Sequence, residues 1–438
     1  MPVDNDTHGA VAPDPVFTER LAAQGLVARV VPVSDGRAFA GWIQAVARGF
    51  LDGERSPEEV AAARERLGYR RKTGVFDESG PMPDVPVATF ASWVDELTVP
   101  GGAVLPACAI SSVTVSPTHR RRGLARAMME HELRLAAGEG VPLAMLTVSE
   151  STLYGRYGFG PAAAAANWTI DTTRAGWTGP IPGGRVDFIP REEWRRLAAE
   201  LHERIRTSSP GEIGMPGGHW DRFAGTRPDV KDAGARRAVR YADEAGEVRG
   251  LALYTVSENH DDYARSRARV SLLLAETPDA YAALWRFLLE LDLIGEVTAS
   301  ELAVDEALLW MIADQRAATV TVRDHQYVRI LDVPAALSAR RYAASGRLVL
   351  DVSDPLGHAE GRWLLEVDAS GRGRVSRAGE TPADAVVVEL GVTELSTAYL
   401  GGVSLETLAF AGRVRTTDAA TAARMLGWHR APRLSFWY

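Results

Sequence analysis

The sequence predicts a chain of several α/β and α+β domains, and three observations carry that reading. The β-branched run Val113-Thr-Val115 breaks at Pro117, crosses a basic loop containing Gly123 and enters an amphipathic helix. Val141–Val148 then reads as a buried central strand of an α/β sheet. Beyond about residue 329 strands come first and helices after, the order of an α+β module. A chain of 438 residues also exceeds one ordinary core, so two or three domains are expected.

The elements follow in order. Residues 1–16, polar and Pro-containing, read as a flexible N-terminal tail. Val27–Val33 is a first strand. Arg37–Asp52 is a helix with Phe39, Trp42, Ile43, Val46 and Phe50 at helical spacing, which places Trp42 and Phe50 in the core. Ser56-Pro-Glu-Glu opens a second helix with an N-cap, a Pro at the first helical position and early acids. Thr73–Phe76, Val85–Leu97 and Val104–Val115 are strands separated by Gly/Pro turns. The helix reaching about Ala137 aligns Leu124, Ala127, Met128 and Leu135 on one face. Ser149–Phe159 is a short polar segment rich in Tyr and Gly.

Composition narrows the function classes. Apolar and charged fractions of 46% and 24% are those of a soluble globular protein. A net charge of −8 argues against nucleic-acid binding and favours cationic partners. The basic residues are almost all Arg, Lys72 and Lys231 being the exceptions. One cysteine, Cys108, excludes an intrachain disulfide framework and a Cys-based zinc site; in its apolar run it reads as a buried spectator. The nine histidines show no metal-ligand spacing, so no metal is expected. The N-terminus, with Asp4 and Asp6, lacks a signal pattern, and no apolar run spans a membrane; a cytoplasmic protein is expected.

Arg120, Arg121 and Arg122 stand where the helix presents its free N–H groups, and Gly123 lets a bulky anion approach the backbone. Pyrophosphate is the natural guest.

This order of elements, with Arg120-x-x-Gly123-x-Ala125 after a Val-x-Val strand, resembles the GNAT acetyltransferase fold. The run Val113 to Leu124, Ser149-Glu150 and Tyr154-Gly-Arg-Tyr-Gly-Phe-Gly-Pro161 are similar to the Eis (enhanced intracellular survival) family of N-acetyltransferases. So are Leu97-Thr-Val-Pro-Gly-Gly102 and Val333-Pro-Ala-Ala-Leu-x-Ala-Arg340. The resemblance implies a GNAT domain over 17–168, a GNAT-like domain without the cofactor loop over 169–328, and a sterol-carrier-like domain over 329–438 that ends in the active site. In the middle part Val270–Ala275 and the helix Ala280–Leu291 echo the opening motif. There Glu276 and Asp279 replace the arginines and would repel a pyrophosphate. In the last part Arg347–Val352, Gly361–Val367, Gly373–Arg377 and Ala385–Leu390 are strands, followed by helices around Val392–Leu400, Ser404–Phe410 and Asp418–Leu426. The aromatic end Phe436-Trp-Tyr438 is expected to dock rather than float.

The resemblance implies acetyl-CoA as co-substrate and assigns its contacts to Val113, Thr114 and Val115, to Arg121, Arg122, Gly123, Leu124, Ala125 and Arg126, and to Ser149 and Glu150. The amide-bearing pantetheine arm can pair with the Val113–Val115 edge as an added strand, and an amide there can donate to the thioester oxyanion. Tyr154 follows the apolar strand closely enough to reach the sulfur, and a phenol is a competent acid at neutral pH. In the family pattern it is the general acid, with Tyr157 as local rival. The resemblance also supplies the base, the C-terminal α-carboxylate on Tyr438, and matches Asp52 to an acid facing the amine. It implies aminoglycoside- or polyamine-type substrates and a homohexamer. Acetylation of protein lysines, or acyl-CoA or lipid binding without turnover, are the competing functions.

Overall fold

Helix starts in this chain are written by short capping side chains. Asp14, Asp35 and Ser56 each accept a hydrogen bond from a first-turn amide, and Ser56 and Glu59 form a reciprocal capping box. The computed structural model describes residues 5–227, 230 and 232–438; residues 1–4 of the expected tail, and Lys231, lie outside them. Along the first part run α1 (Asn5–Ala10), α2 (Pro15–Ala22), β1 (Val27–Val30), α3 (Gly36–Gly49), α4 (Pro57–Leu67), β2 (Arg71–Phe76), β3 (Ala88–Thr98), β4 (Val104–Val115), α5 (Leu124–Gly138), β5 (Leu143–Thr147) and α6 (Ser151–Tyr154). The middle holds β6 (Gly160–Asp171), α7 (Thr172–Ala175), β7 (Arg185–Phe188), α8 (Arg191–Ile205), α9 (Gly217–Ala224), β8 (Arg236–Ala242), β9 (Val248–Ser257), β10 (Ser266–Ala275), α10 (Pro278–Leu289), β11 (Ile294–Leu302) and β12 (Ala318–Ile330). The last part holds α11 (Val333–Ala339), β13 (Gly346–Ser353), β14 (Gly361–Val367), β15 (Gly373–Arg377), β16 (Val386–Gly391), α12 (Val392–Ala398), α13 (Leu405–Phe410), β17 (Val414–Thr416) and α14 (Ala419–Leu426).

These elements make two compact units. One comprises the residues up to Ala162, Gln326–His429 and Tyr438; the other comprises Ala163–His325 and Arg430–Trp437. In the first unit a sheet runs β1-β2-β3-β4-β5-β12. β4 and β5 are parallel, joined by α5, and β12 closes the far side of β5 antiparallel, Ile330 opposite Leu143 and Gln326 opposite Thr147. One face packs α2 and α5 through Phe17, Leu21, Leu124, Met128 and Leu133. The other packs α3 and α4 through Phe39, Trp42, Ile43 and Leu67. The same unit carries a five-stranded sheet, β15-β14-β13-β16-β17.

The second unit has the order β6-β11-β10-β9-β8-β7. Here β9 and β10 are antiparallel, β10 and β11 parallel, and α10 joins the parallel pair. The expected echo is thus present as topology. Thr277 caps α10, whose buried face is Leu284, Trp285 and Leu288.

Two expectations are corrected. Residues 5–16 are not a loose tail. Asn5 brackets the backbone of Val94, donating to its carbonyl at 3.0 Å and accepting from its N–H at 2.8 Å, as a neighbouring strand would. His8 is fully buried, its Nδ1 2.7 Å from Glu139 and its Nε2 3.0 Å from Ser92. Second, Phe50 is not core. α3 stops at Gly49, Leu51 takes a left-handed φ of 64°, and Phe50 and Leu51 are left 51% and 91% exposed. Trp42 is buried as expected, its indole N–H donating to the Thr73 carbonyl at 3.0 Å. Among the described residues no helix is long and apolar enough to cross a membrane.

Candidate active site

The site begins as a defect in the first sheet. β4 follows β3 out to Val115, with a register shift opposite Thr89–Ala91 where Ser112 adopts a φ of 53°. Its pairing with β5, however, runs only from Ala107–Leu143 to Ile110–Leu146. From Ser111 to Val115, β4 therefore has a partner on one side only, and its other edge can take an extended, amide-bearing ligand. Thr114 is pinned by a 2.7 Å hydrogen bond to Thr89. Gly49 packs so closely on it that a Cβ there would lie 2.4 Å from the Thr114 Cβ, which sets the end of α3 beside the unpaired stretch.

Beyond β4 the chain turns through Pro117–His119 into the arginine loop, where Arg121 (φ 62°) and Gly123 (φ 75°) are both left-handed. Gly123 caps α5 without a side chain, so no side-chain acceptor takes the first amides, those of Leu124, Ala125 and Arg126. Alternating backbone handedness ahead of a 15-residue helix makes an anion nest. The arginines divide the work. Arg120 and Arg121 are exposed. Arg122 is turned inward, donating to the Gln24 carbonyl at 3.0 Å and its side-chain oxygen at 3.3 Å, which fastens the loop to α2. Arg126 pairs with Glu130 at 2.5 Å. Arg20, which sequence reasoning missed, brings its guanidinium within 3.1 Å of where a Gly123 side chain would begin. Only its distant position in α2 hid it.

Past β5, Ser149 and Glu150 are exposed at the start of α6. Tyr154 is half-buried, edge-on to Phe159 with ring centroids 6.2 Å apart. Burial, then the nearby Glu150 charge, push its phenol above the ordinary range, so it stays protonated at neutral pH. The rival Tyr157 is a core residue, 8% exposed and packed among apolar side chains. The turn that carries Tyr154 is braced by the last part of the chain. Arg329 donates to the Tyr157 carbonyl at 2.7 Å and is clamped by both Asp354 oxygens at 2.8 and 2.7 Å, both side chains fully buried. Thr393 donates to the Gly155 carbonyl at 3.2 Å.

The chain end does dock. Tyr438 is 7% exposed, its ring edge-on to Trp93 at 5.2 Å. Its main-chain oxygen accepts a hydrogen bond from the Thr147 hydroxyl at 3.0 Å. Thr147 directly follows Leu146, the last residue of β5 paired with β4, so the Tyr438 main-chain oxygen is tied where the two strands part. Asp52 is an exposed surface acid paired with Arg55 at 2.5 Å.

Two other groups have side chains capable of chemistry. Cys108 is fully buried, and burial pushes its thiol up, away from the thiolate. It lies with His8 and Glu132 in a cluster whose ligand atoms are all within 4.8 Å. The cluster is already satisfied: His8 sits 3.3 Å from Glu132, Ser92 donates to Glu132 at 2.5 Å, and the Arg71 guanidinium lies 3.6 Å away where a cation would. In the second unit Glu276 does not stand as a bare repelling charge. Arg249 at 3.0 Å and Arg204 at 3.3 Å neutralise it.

A strand pair that splays, followed by an anion nest on a helix, defines a GNAT acetyltransferase. Family models agree: an acetyltransferase (GNAT) domain matches residues 35–162, a second such domain 211–330, and a sterol carrier protein domain 333–435. The chain is 41% identical over 406 residues to an uncharacterized N-acetyltransferase of Streptomyces avermitilis, covering 90% of this chain and 94% of that protein. It is 36% identical over 382 residues to N-acetyltransferase Eis of Mycobacterium tuberculosis, covering 84% and 89%. The crystal structure of Eis1 from Mycobacterium abscessus superposes with a TM-score of 0.78 at 26% identity, covering 94% of this chain and all of that one. The chain belongs to the Eis family of GNAT N-acetyltransferases, and its fold implies acetyl-CoA as co-substrate.

Proposed function

We propose that the protein transfers acetyl from acetyl-CoA to primary amines of cationic, multi-amine small molecules of aminoglycoside or polyamine type. One observation supports this reading: the Tyr438 main-chain oxygen, taken in this proposal as part of a terminal carboxylate, accepts from Thr147 where β4 and β5 part. A carboxylate there can take the proton from an incoming ammonium, which a neutral site could not. Acetyl-CoA, when bound, supplies the thioester carbonyl and the thiolate leaving group. The edge of Val113, Thr114 and Val115 orients the pantetheine arm and offers an N–H to the carbonyl oxygen. Arg121 and the amides of Gly123 to Arg126 hold the pyrophosphate, while Ser149 and Glu150 border the arm. Tyr154, kept protonated by burial, gives its proton to the departing sulfur. Asp52, exposed beside the end of α3, recruits the cationic substrate.

The test is thiol release from acetyl-CoA with a panel of amines, comparing the native chain with Tyr154→Phe and with a chain extended by a few residues after Tyr438. Amine-dependent release by the native chain, strongly reduced in both variants, is expected. Absence of release from the native chain with every amine sinks the enzyme reading and leaves acyl-CoA binding. Normal turnover by the extended chain removes the terminal carboxylate as base.

A further inference from the structure

The second unit repeats the parting of strands on which the first builds its site. β10 and β11 stay paired from Ser266 opposite Ile294 to Val270 opposite Ala299 and then separate, while β10 continues along β9 past an irregularity at Ser271. The first unit has the same arrangement, with β4 and β5 parting after Ile110 and Leu146 and the irregularity of β4 at Ser112. Strands that part expose backbone N–H and C=O groups that need partners. In the second unit the gap is filled by the chain's own end. Arg433 and Ser435 line it together with residues 270–273 and 299–302, and the space that remains is about 10 Å³, room for one water at most.

That end is gripped by a buried carboxylate. Glu212, 4% exposed, accepts from the Ser435 hydroxyl at 3.1 Å and its amide at 3.4 Å. It also pairs with the Arg433 guanidinium at 3.2 Å, and His202 lies 3.7 Å away. Burial alone would raise the Glu212 carboxyl, but His202, Arg433 and Ser435 hold it below the usual range, so it is ionised at neutral pH. Two of these three neighbours come from the last six residues of the chain. Around them the Arg433 amide donates to the Pro210 carbonyl at 2.7 Å and the Ala431 amide to Asp305 at 2.9 Å. Phe436 is fully buried, its ring edge-on to His219 at 5.5 Å. Chain ends are ordinarily loose, and this one is ordered around a single charge.

We propose that Glu212 is a positioning residue for acetyl transfer, fixing Arg433 and Ser435 so that only three residues, Phe436 to Tyr438, separate the held backbone from the terminal carboxylate. Glu212 acts through the chain and rests on the reading of that carboxylate as base. A tail free from Arg430 onward is a tether of nine residues. The local concentration of a tethered end falls roughly as the −3/2 power of tether length, so nine residues against three is about a fivefold loss. Hydrogen exchange and amine-dependent thiol release are measured on the full-length chain, on Glu212→Gln and on Ser435→Ala. The expected result is faster exchange over residues 433–437 with α10 as protected as in the native chain. With it, kcat falls about fivefold or more while KM for acetyl-CoA is unchanged, a split that general loosening does not produce. Thr147→Val acts on the same carboxylate, so combining it with Glu212→Gln costs less than the product of the two separate losses. Faster tail exchange with a native kcat overturns the proposal. So does native exchange in both variants, a KM for acetyl-CoA that rises as kcat falls, or fully multiplicative losses. The chain extended after Tyr438 is run alongside. Normal turnover there removes base and anchor together, whereas its inactivity beside a native kcat for Glu212→Gln removes the anchor alone. Ser435→Ala, which alters one hydroxyl on the tail itself, decides the matter should Glu212→Gln fail to fold.

Discussion

Replacing Thr147 by Val tests the proposed base at one atom. The change keeps the side-chain shape and removes the hydroxyl that donates to the main-chain oxygen of Tyr438 at 3.0 Å. A hydrogen bond to a charged group contributes about 1.5–3 kcal/mol. If the terminal carboxylate must be held in place for proton transfer, kcat/KM falls by about 10- to 150-fold. The donor also stabilises the ionised carboxylate, so its loss raises the carboxylate pKa and moves the acid limb of the pH–rate profile to higher pH. A merely structural role for Thr147 would lower the rate without moving that limb. The assay is thiol release at saturating acetyl-CoA with varied amine across pH, with the thermal midpoint measured alongside. A kcat/KM within about twofold of the native value and an unmoved acid limb would refute the assignment.

Four further outcomes are expected. Asp354→Asn strands the buried Arg329 charge and should cost about 3–5 kcal/mol in denaturant unfolding, with Arg329→Met added to it recovering much of the loss. Gly123→Ala, at φ 75°, should raise KM for acetyl-CoA more than it lowers kcat, because the strain falls on the anion nest. Burial alone would raise the Glu132 carboxyl, but the His8 ring, Arg71 and Ser92 hold it at about 2 against an ordinary 4.5. Its depressed folded value means that its contribution is complete above about pH 4.5 and is lost as pH falls towards 2, which acid titration of unfolding will show. Burial opposes protonation of His8, yet Glu132 and Glu139 raise its folded pKa above 6.5. Its contribution is therefore complete below that value and lost as pH rises through the folded one, releasing α1 to hydrogen exchange.

Much of the catalytic half was legible because its signals are local. A β-branched strand, Pro117, Gly123 and an apolar helix face are neighbours in sequence, and backbone sterics fix what they make. The parts that were missed depend on contacts far apart in the chain. Asn5–Ala10 has little helix propensity, and its order comes from Asn5 on Val94 and His8 between Glu132 and Glu139. Nothing in its own pattern reports those partners. Phe50 sits at proper helical spacing yet lies outside the core, because the left-handed Leu51 follows the end of α3. Arg20 and Arg329 reach the cradle and the Tyr154 turn from separate elements, so neither belongs to a motif. Glu276 is a similar case, since its charge was visible in the sequence and its partners Arg204 and Arg249 were not.

The closing of the first sheet by β12 has a consequence for how the chain is made. β5 emerges from the ribosome with β4, but residues 326–330, which cover its other edge, are synthesised only after residues 163–325. Until then the backbone of Leu143 to Thr147 is a naked, apolar template for wrong pairing. A fragment ending near residue 168 would therefore keep the arginine loop and still lack a finished sheet. Expressed alone, it should aggregate where the full chain does not.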